Sequence, residues 1–207
     1  MKSLRVLIAD DDGLTLMALR KALMGMGHQV VGEAADGEQT LELARVTSPD
    51  LAILDIRMPK MEGIEAARLL QQQRPTPVIM LSAHTESGLG SEAAGAGAHA
   101  YIVKPFTSEQ IKLAIELALT KFEQECALQQ ELDRANQALA DRKVVERAKG
   151  ILMRQTGLDE EAAYLRLQKT ARSENKKIVE IANALILADQ LRRDSVRPTR
   201  TSGRPAR

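Results

Sequence analysis

Five short runs of β-branched and aliphatic residues, separated by stretches of helical periodicity, fix what the first half of this 207-residue chain can become. The runs occupy residues 4–9, 29–33, 51–54, 78–81 and 100–103, with helical patterns at 14–26, 37–47 and 64–73. Crossovers of this length join parallel strands, and strands that are apolar along their whole length are buried on both faces. The pattern predicts an α/β fold, a five-stranded, doubly wound parallel sheet with helices on both sides. Ligands of such sheets collect beyond the carboxyl ends of the strands.

The residues that close the runs carry chemistry. Asp10 and Asp11 follow the first, Asp55 the third, Ser82 the fourth, and Lys104 with Pro105 the fifth. A carboxylate attacking a phosphoryl group approaches a centre already ringed by negative oxygens, so a cation must neutralise the charge. Mg²⁺ suits this, taking oxygen ligands octahedrally and keeping several waters. Asp55 is placed as the phosphoacceptor and a metal ligand, Asp11 as a direct ligand, and Asp10 as a ligand directly or through water. The main-chain carbonyl of Arg57 completes the protein's share. Lys104 supplies positive charge to the phosphoryl oxygens and Ser82 a hydrogen bond.

Ile8-Ala9-Asp10-Asp11-Asp12, Leu54-Asp55-Ile56-Arg57-Met58-Pro59, Leu81-Ser82-Ala83 and Val103-Lys104-Pro105-Phe106 resemble, in order and spacing, the receiver domains of bacterial two-component response regulators. The resemblance covers residues 4 to about 120. It implies a flavodoxin-like fold, phosphotransfer from a sensor histidine kinase to Asp55, and a cis Lys104–Pro105 peptide. It also implies a switch in which Tyr101 responds to the Ser82 hydroxyl, although Tyr101 reads as a half-buried strand aromatic too. Asp12 is expected to cap the first helix. Gly88, Gly90, Gly95 and Gly97 predict a short or mobile fourth helix, because each interior glycine costs a helix about 1 kcal/mol relative to alanine. Those glycines serve either a turn or a hinge.

Beyond Phe106, Thr107 and Gln110 have the spacing of a capping box. A helical pattern without Pro or Gly then runs from residue 108 to 149, about 40 residues and roughly 60 Å. Ile111, Ile115, Ala118 and Phe122 are placed to pack on the sheet. Leu128, Leu132, Ala135 and Leu139 alternate steps of four and three, the seam of a coiled coil. Its partner is either a second copy of the chain or the chain's own C-terminal helices. After Asp141 a three-helix unit is expected: the long helix ending near Met153, a break at 156–158, then helices at 159–173 and 178–191. Asp159 is the N-cap of the second. The domains are therefore read as 1–120, a helical coiled-coil linker 121–140, a small all-α unit 141–191, and a basic tail 192–207, expected to be disordered.

Charge divides the same way. Residues 1–120 carry 11 Lys/Arg against 15 Asp/Glu, and residues 121–207 carry 18 against 13, so a polyanion is the natural partner of the second half. A solvated helical surface is the plainer reading. A helix-turn-helix DNA reader would present the start of its second helix to bases and phosphates, yet here that start is Asp159-Glu160-Glu161. Tyr164 is the only aromatic residue after Phe122, which argues against a stacking platform for single strands. A folded RNA held through phosphates fits better.

The run Arg142-Lys143-Val144-Val145-Glu146-Arg147-Ala148-Lys149-Gly150-Ile151-Leu152-Met153, with Gly157-Leu158-Asp159-Glu160-Glu161-Ala162-Ala163 after it, resembles the ANTAR domain over residues 140 to about 190. This resemblance implies a dimer, promoted by phosphorylation, that binds tandem RNA hairpins and causes transcription antitermination. Arg142, Lys143, Arg147, Lys149 and Arg154 are the first choice for RNA contact, with Arg166, Lys169 and Arg172 second. Gly150, in mid-helix, is read as a point of close helix approach. DNA-binding transcription control and a pure protein-interaction output stay open as alternatives. No run approaches the roughly 20 apolar residues of a membrane span, and no signal-peptide pattern is present, so a cytoplasmic protein is expected. Cys126 stands alone, which excludes an internal disulfide, and the histidines lack zinc-ligand spacing.

Overall fold

A computed structural model describes residues 3–83 and 97–195. The predicted glycine-rich fourth helix therefore lies outside the described residues, apart from Gly97. The strands are β1 (Arg5–Ala9), β2 (Gln29–Ala34), β3 (Leu51–Asp55), β4 (Val78–Ser82) and β5 (Ala100–Val103). They form one parallel sheet in the order β2-β1-β3-β4-β5. Between them lie α1 (Gly13–Gly25), α2 (Gly37–Thr47) and α3 (Gly63–Gln73); α4 (Ser108–Thr156), α5 (Glu160–Ser173) and α6 (Ile178–Ser195) follow. The chain divides into two compact units, residues 1–128 and 129–207.

In the first unit, side chains alternate across the sheet, so each apolar run supplies two cores. Val6, Ile8, Leu51, Ile53, Ile79, Leu81 and Ile102 face Leu19 and Leu23 of α1 and Ile111, Ile115 and Ala118 of α4. Leu7, Ala9, Ala52, Leu54, Val78 and Met80 face Ala44 of α2 and Ala66, Ala67 and Leu70 of α3. Burial on both faces is why the strands read as unbroken apolar runs.

The helix starts match their sequence signals. Asp12 caps α1 by accepting from the Leu14 and Thr15 amides. Asp36 caps α2 through the Gln39 amide. Thr107 and Gln110 form the reciprocal pair of a capping box at α4, with bonds of 2.8 and 3.3 Å. Arg20 of α1 and Glu33 of the edge strand β2 form an ion pair.

Two buried histidines stiffen the unit. His28 Nδ1 accepts from the Leu4 amide and His99 Nδ1 from the Val78 amide, so each ring is held neutral at that nitrogen. His99 also packs edge-on against Phe122 of α4 and places Nε2 3.3 Å from Glu125. Burial pushes both imidazoles below their ordinary pKa, and at His99 it outweighs the attraction of Glu125. A base whose folded pKa is depressed binds fewer protons folded than unfolded, so its contribution is whole above the unfolded value and is lost as pH falls below it. Urea midpoints should therefore drop as pH is lowered from about 6.5, the unfolded value. His99→Gln should flatten part of that slope; an unchanged slope would exclude His99 as a source.

The second unit is a separate three-helix core. Val145, Ala148, Ile151 and Leu152 of α4 pack with Ala163 and Leu167 of α5 and Ala182 and Ile186 of α6. Gly157, at φ +71°, ends α4 in a backbone region that suits glycine. Asp159 caps α5 by accepting from the Ala162 amide.

Two expectations are corrected here. The last helix runs to Ser195, so residues 192–195 are helical and not part of a disordered tail. No proline or glycine intervenes there, and Arg193 pairs with Asp189 one turn back. Residues 196–207 of that tail lie outside the described residues. Gly150 does not mark a close helix approach either: a Cβ built there would meet only the Arg154 guanidinium, at 3.6 Å. The coiled-coil seam stays uncovered, with Leu128, Leu132 and Leu139 at 69%, 52% and 58% exposure, so the described helices of the chain do not supply its partner. Among the described residues no helix is long and apolar enough to cross a membrane.

Candidate functional site

Strand register assembles the rim of the first unit. Ala9 pairs with Leu54, Asp55 with Leu81, and Ser82 with Val103, so the next residue along β1 is Asp10 and along β5 is Lys104. The ladder continues past the strand ends, where the Ile56 amide donates to the Leu81 carbonyl and the Lys104 amide to the Ser82 carbonyl. The Lys104–Pro105 peptide is cis.

The side chains converge. Lys104 Nζ lies 2.6 Å from Asp10 Oδ2 and 2.9 Å from Asp55 Oδ1. Carboxylate oxygens of Asp10, Asp11 and Asp55 come within 4.8 Å of one another, with Asp10 and Asp55 buried and Asp11 exposed. Three carboxylates face one ammonium, and Coulomb repulsion among them is costly where solvent is excluded. Burial raises the Asp55 carboxyl above the usual range, against the pull of Lys104, and Asp10 and Asp11 push the same way. Burial opposes the charge on Lys104, but its contacts with Asp10 and Asp55 outweigh it and raise its pKa.

Asp10 Oδ1 accepts from the Asp12 amide at 3.0 Å. Asp10 Oδ2, shielded from water, touches Lys104 as an ion pair yet accepts no well-directed hydrogen bond. A buried carboxylate oxygen left this way, in a cluster with surplus negative charge, suits a divalent cation of the oxygen-seeking kind. The donor set fits such an ion. Ser82 is buried at the end of β4, while Tyr101 alternates outward on β5 and is 37% exposed.

The loop that follows Asp55 is fixed by contacts the sequence did not announce. Gly63, at the start of α3, donates its amide to the Ile56 carbonyl and lies so close that a Cβ would fall 1.8 Å from the Asp55 carbonyl oxygen. Lys60 Nζ reaches Asp36 Oδ2 at 2.7 Å, tying this loop to the cap of α2. The Gly37 amide donates to the Met61 carbonyl, and a Cβ on Gly37 would lie 2.6 Å from Met61 Cγ. The signal available in sequence was the paired glycines, each opening a helix.

In the second unit, Arg142, Lys143, Arg147, Arg154, Arg166, Lys169 and Arg172 are exposed. Among the described residues none of them is in an ion pair. Lys149 differs. It is buried, with Nζ 2.8 Å from Glu146 and 2.7 Å from Glu160, so it fastens α5 to α4 and does not join the exposed set. Sequence could not separate it from its neighbours, since only the position of α5 decides which face of α4 is covered.

Residues 6–116 match the response regulator receiver domain family and residues 133–186 the ANTAR domain family. The chain is 41% identical over 180 residues to the transcriptional regulatory protein PdtaR of Mycobacterium tuberculosis, covering 86% of this chain and 88% of that protein. The chain belongs to the ANTAR-type two-component response regulators. Its receiver is also 38% identical to the chemotaxis protein CheY of Bacillus subtilis, over 56% of this chain and 97% of that one. Among solved structures, it resembles a LuxR-family two-component response regulator from Aurantimonas at a TM-score of 0.55 and 28% identity, over 62% of this chain and 99% of that one. It resembles CheY in a CheX-CheY-BeF3-Mg²⁺ complex from Borrelia burgdorferi at a TM-score of 0.51 and 31% identity, over 54% of this chain and 85% of that one.

Within this regulator the rim brings Asp10, Asp11, Asp55 and Lys104 into one cluster, with the buried Ser82 one residue past Leu81, the register partner of Asp55. Tyr101 lies on the outward side of β5, and the basic residues belong to the other compact unit.

Proposed function

We propose that the protein is a phosphorylation-dependent RNA-binding antiterminator of the cytoplasm. Residues 1–120 are its input, 121–140 a coiled-coil linker and 141–191 its output. Asp55 takes a phosphoryl group from a sensor histidine kinase: its carboxylate oxygen forms the new bond to phosphorus as the bond to the donor nitrogen breaks. Lys104 balances charge on the phosphoryl oxygens and Ser82 donates a hydrogen bond to one of them. Asp10, Asp11, Asp55 and the Arg57 carbonyl would hold Mg²⁺, which supplies the remaining charge neutralisation. The Mg²⁺ named with the Borrelia relative supports that choice of ion. Ser82 and Tyr101 act as the switch.

The output reading is carried by one observation: the ANTAR-matching unit leaves the seven basic side chains named above exposed and outside ion pairs, while Glu146 and Glu160 are tied to Lys149. Arg142, Lys143, Arg147 and Arg154, with Arg166, Lys169 and Arg172, grip the phosphates of paired RNA hairpins. The uncovered seam at Leu128, Leu132, Ala135 and Leu139 supports a homodimer as the form that holds two hairpins.

A direct contest tests this. At matched salt, with and without a small-molecule phosphodonor, the full chain should bind a tandem-hairpin RNA more tightly than duplex DNA of equal length. The phosphodonor should raise both the dimer fraction and RNA affinity. Affinity should fall steeply between 50 and 200 mM salt, by about 10³-fold if six phosphates are neutralised. Equal affinity for the duplex would transfer the output to DNA, and no binding to either would leave a protein partner.

A further inference from the structure

The second unit holds a glycine that its own packing does not explain. Gly150 sits in the interior of α4, where glycine costs a helix stability relative to alanine. Several other glycines have visible reasons, while Gly13 and Gly25, which also leave a Cβ unopposed, sit at the two ends of α1 and not in a helix interior. Gly63 and Gly37 admit the loop beyond Asp55, Gly32 lies against Leu7, and Gly27, Gly97 and Gly157 have positive φ. At Gly150 the backbone is ordinary helix, and a Cβ would meet only Arg154 Nη1 at van der Waals distance. An alanine would fit and strengthen the helix, so the folded chain gains nothing from the missing side chain.

What surrounds it is informative. At 100° per residue, Lys143, Arg147 and Arg154 lie within about 60° of Gly150 around the helix, all on one side of it. All three are exposed, and among the described residues none is in an ion pair. The neighbouring base, Lys149, points into the unit and neutralises Glu146 and Glu160, the nearby acids that would otherwise repel an anion. The result is a stretch of helix backbone with three cations on one side and Glu146, about 40° away and paired with Lys149, on the other; from Lys143 to Arg154 it spans about 16 Å along the axis. The same strip of a second copy would bring like charge, whereas a polyanion strand brings opposite charge.

We propose that the helix surface at Gly150 is a seat for an RNA sugar-phosphate strand, which approaches the α4 backbone there more closely than any side chain would allow. Arg147 and Arg154 clasp its phosphates and Lys143 continues the track. The seat rests on the RNA-binding reading above and gives it a point of contact. It sets shape as well as charge: glycine, not a further base, is the residue the site needs.

Two substitutions in the full chain separate shape from charge. Gly150→Ala should leave the denaturation midpoint equal or higher, leave self-association unchanged, and weaken binding to a tandem-hairpin RNA by about tenfold or more. The slope of log affinity against log salt should stay the same, since no cation is lost. Gly150→Lys adds a cation to the strip and should also bind more weakly. Undiminished affinity in Gly150→Ala, tighter binding by Gly150→Lys, or a changed oligomeric state in place of changed RNA affinity would each overturn the seat. If the wild-type chain itself bound no RNA, the RNA reading would fall first and the seat with it, a result distinguishable from failure of the variants alone.

Discussion

Asp55→Asn should reduce phosphoryl incorporation to background, measured with labelled phosphodonor or kinase, because an amide offers no carboxylate oxygen to form the acyl phosphate. The loss should come without unfolding. The ionised Asp55 is held among Asp10 and Asp11 in a site where burial raises its pKa. An acid with a raised folded pKa keeps its proton more tightly folded than unfolded. Stability therefore falls as pH rises above the unfolded value of about 3.9, and remains lower at neutral pH. Asparagine keeps the shape and removes that charge, so without divalent cation the variant should unfold at a higher urea concentration than the wild type at pH 7. Adding Mg²⁺ should then stabilise the wild type more than the variant, since binding to the folded state adds stability by mass action. Label incorporated at wild-type levels would place the acceptor elsewhere. RNA affinity in the variant should no longer respond to the phosphodonor.

How much of this was legible beforehand follows from the range of the interactions involved. The sheet was readable because burial on both faces writes itself into each strand as an unbroken apolar run, and the rim because polar residues close those runs at fixed places. The caps at Asp12, Asp36, Thr107 and Asp159 are local, three or four residues wide, and three of the four, all but Asp36, were read from the sequence. The misreadings have a different cause. Lys149 and Arg147 are both bases on one helix, and which of them turns inward depends on where α5 packs. Gly150 invited a packing explanation because most mid-helix glycines have one. The Lys60–Asp36 tie and the seating of His99 under Phe122 join residues more than twenty positions apart, with no periodicity to betray them.

Gly63 belongs to the same hidden class, and substituting it should have the largest structural effect in the receiver. A Cβ at this position would lie 1.8 Å from the Asp55 carbonyl oxygen and 2.9 Å from its carbonyl carbon. Neither atom can yield as the tip of a flexible side chain would. Asp55 ends a strand paired on both sides, and the Gly63 amide is itself bound to the Ile56 carbonyl at 2.9 Å. Relief requires the start of α3 to lift away, exposing Ala66, Ala67 and Leu70, or the end of β3 to shift against β1 and β4. Overpacking of this severity should cost the receiver at least about 3 kcal/mol. Gly63→Ala should therefore show a markedly lower urea midpoint, while Gly13→Ala, where a Cβ meets nothing, should leave it unchanged or raise stability by up to about 1 kcal/mol. The displaced strand end also carries Asp55, so the folded fraction should accept phosphate more slowly even at permissive temperature. If Gly63→Ala matched the wild type in both midpoint and labelling rate, the close approach of α3 to the acceptor strand would not hold in solution.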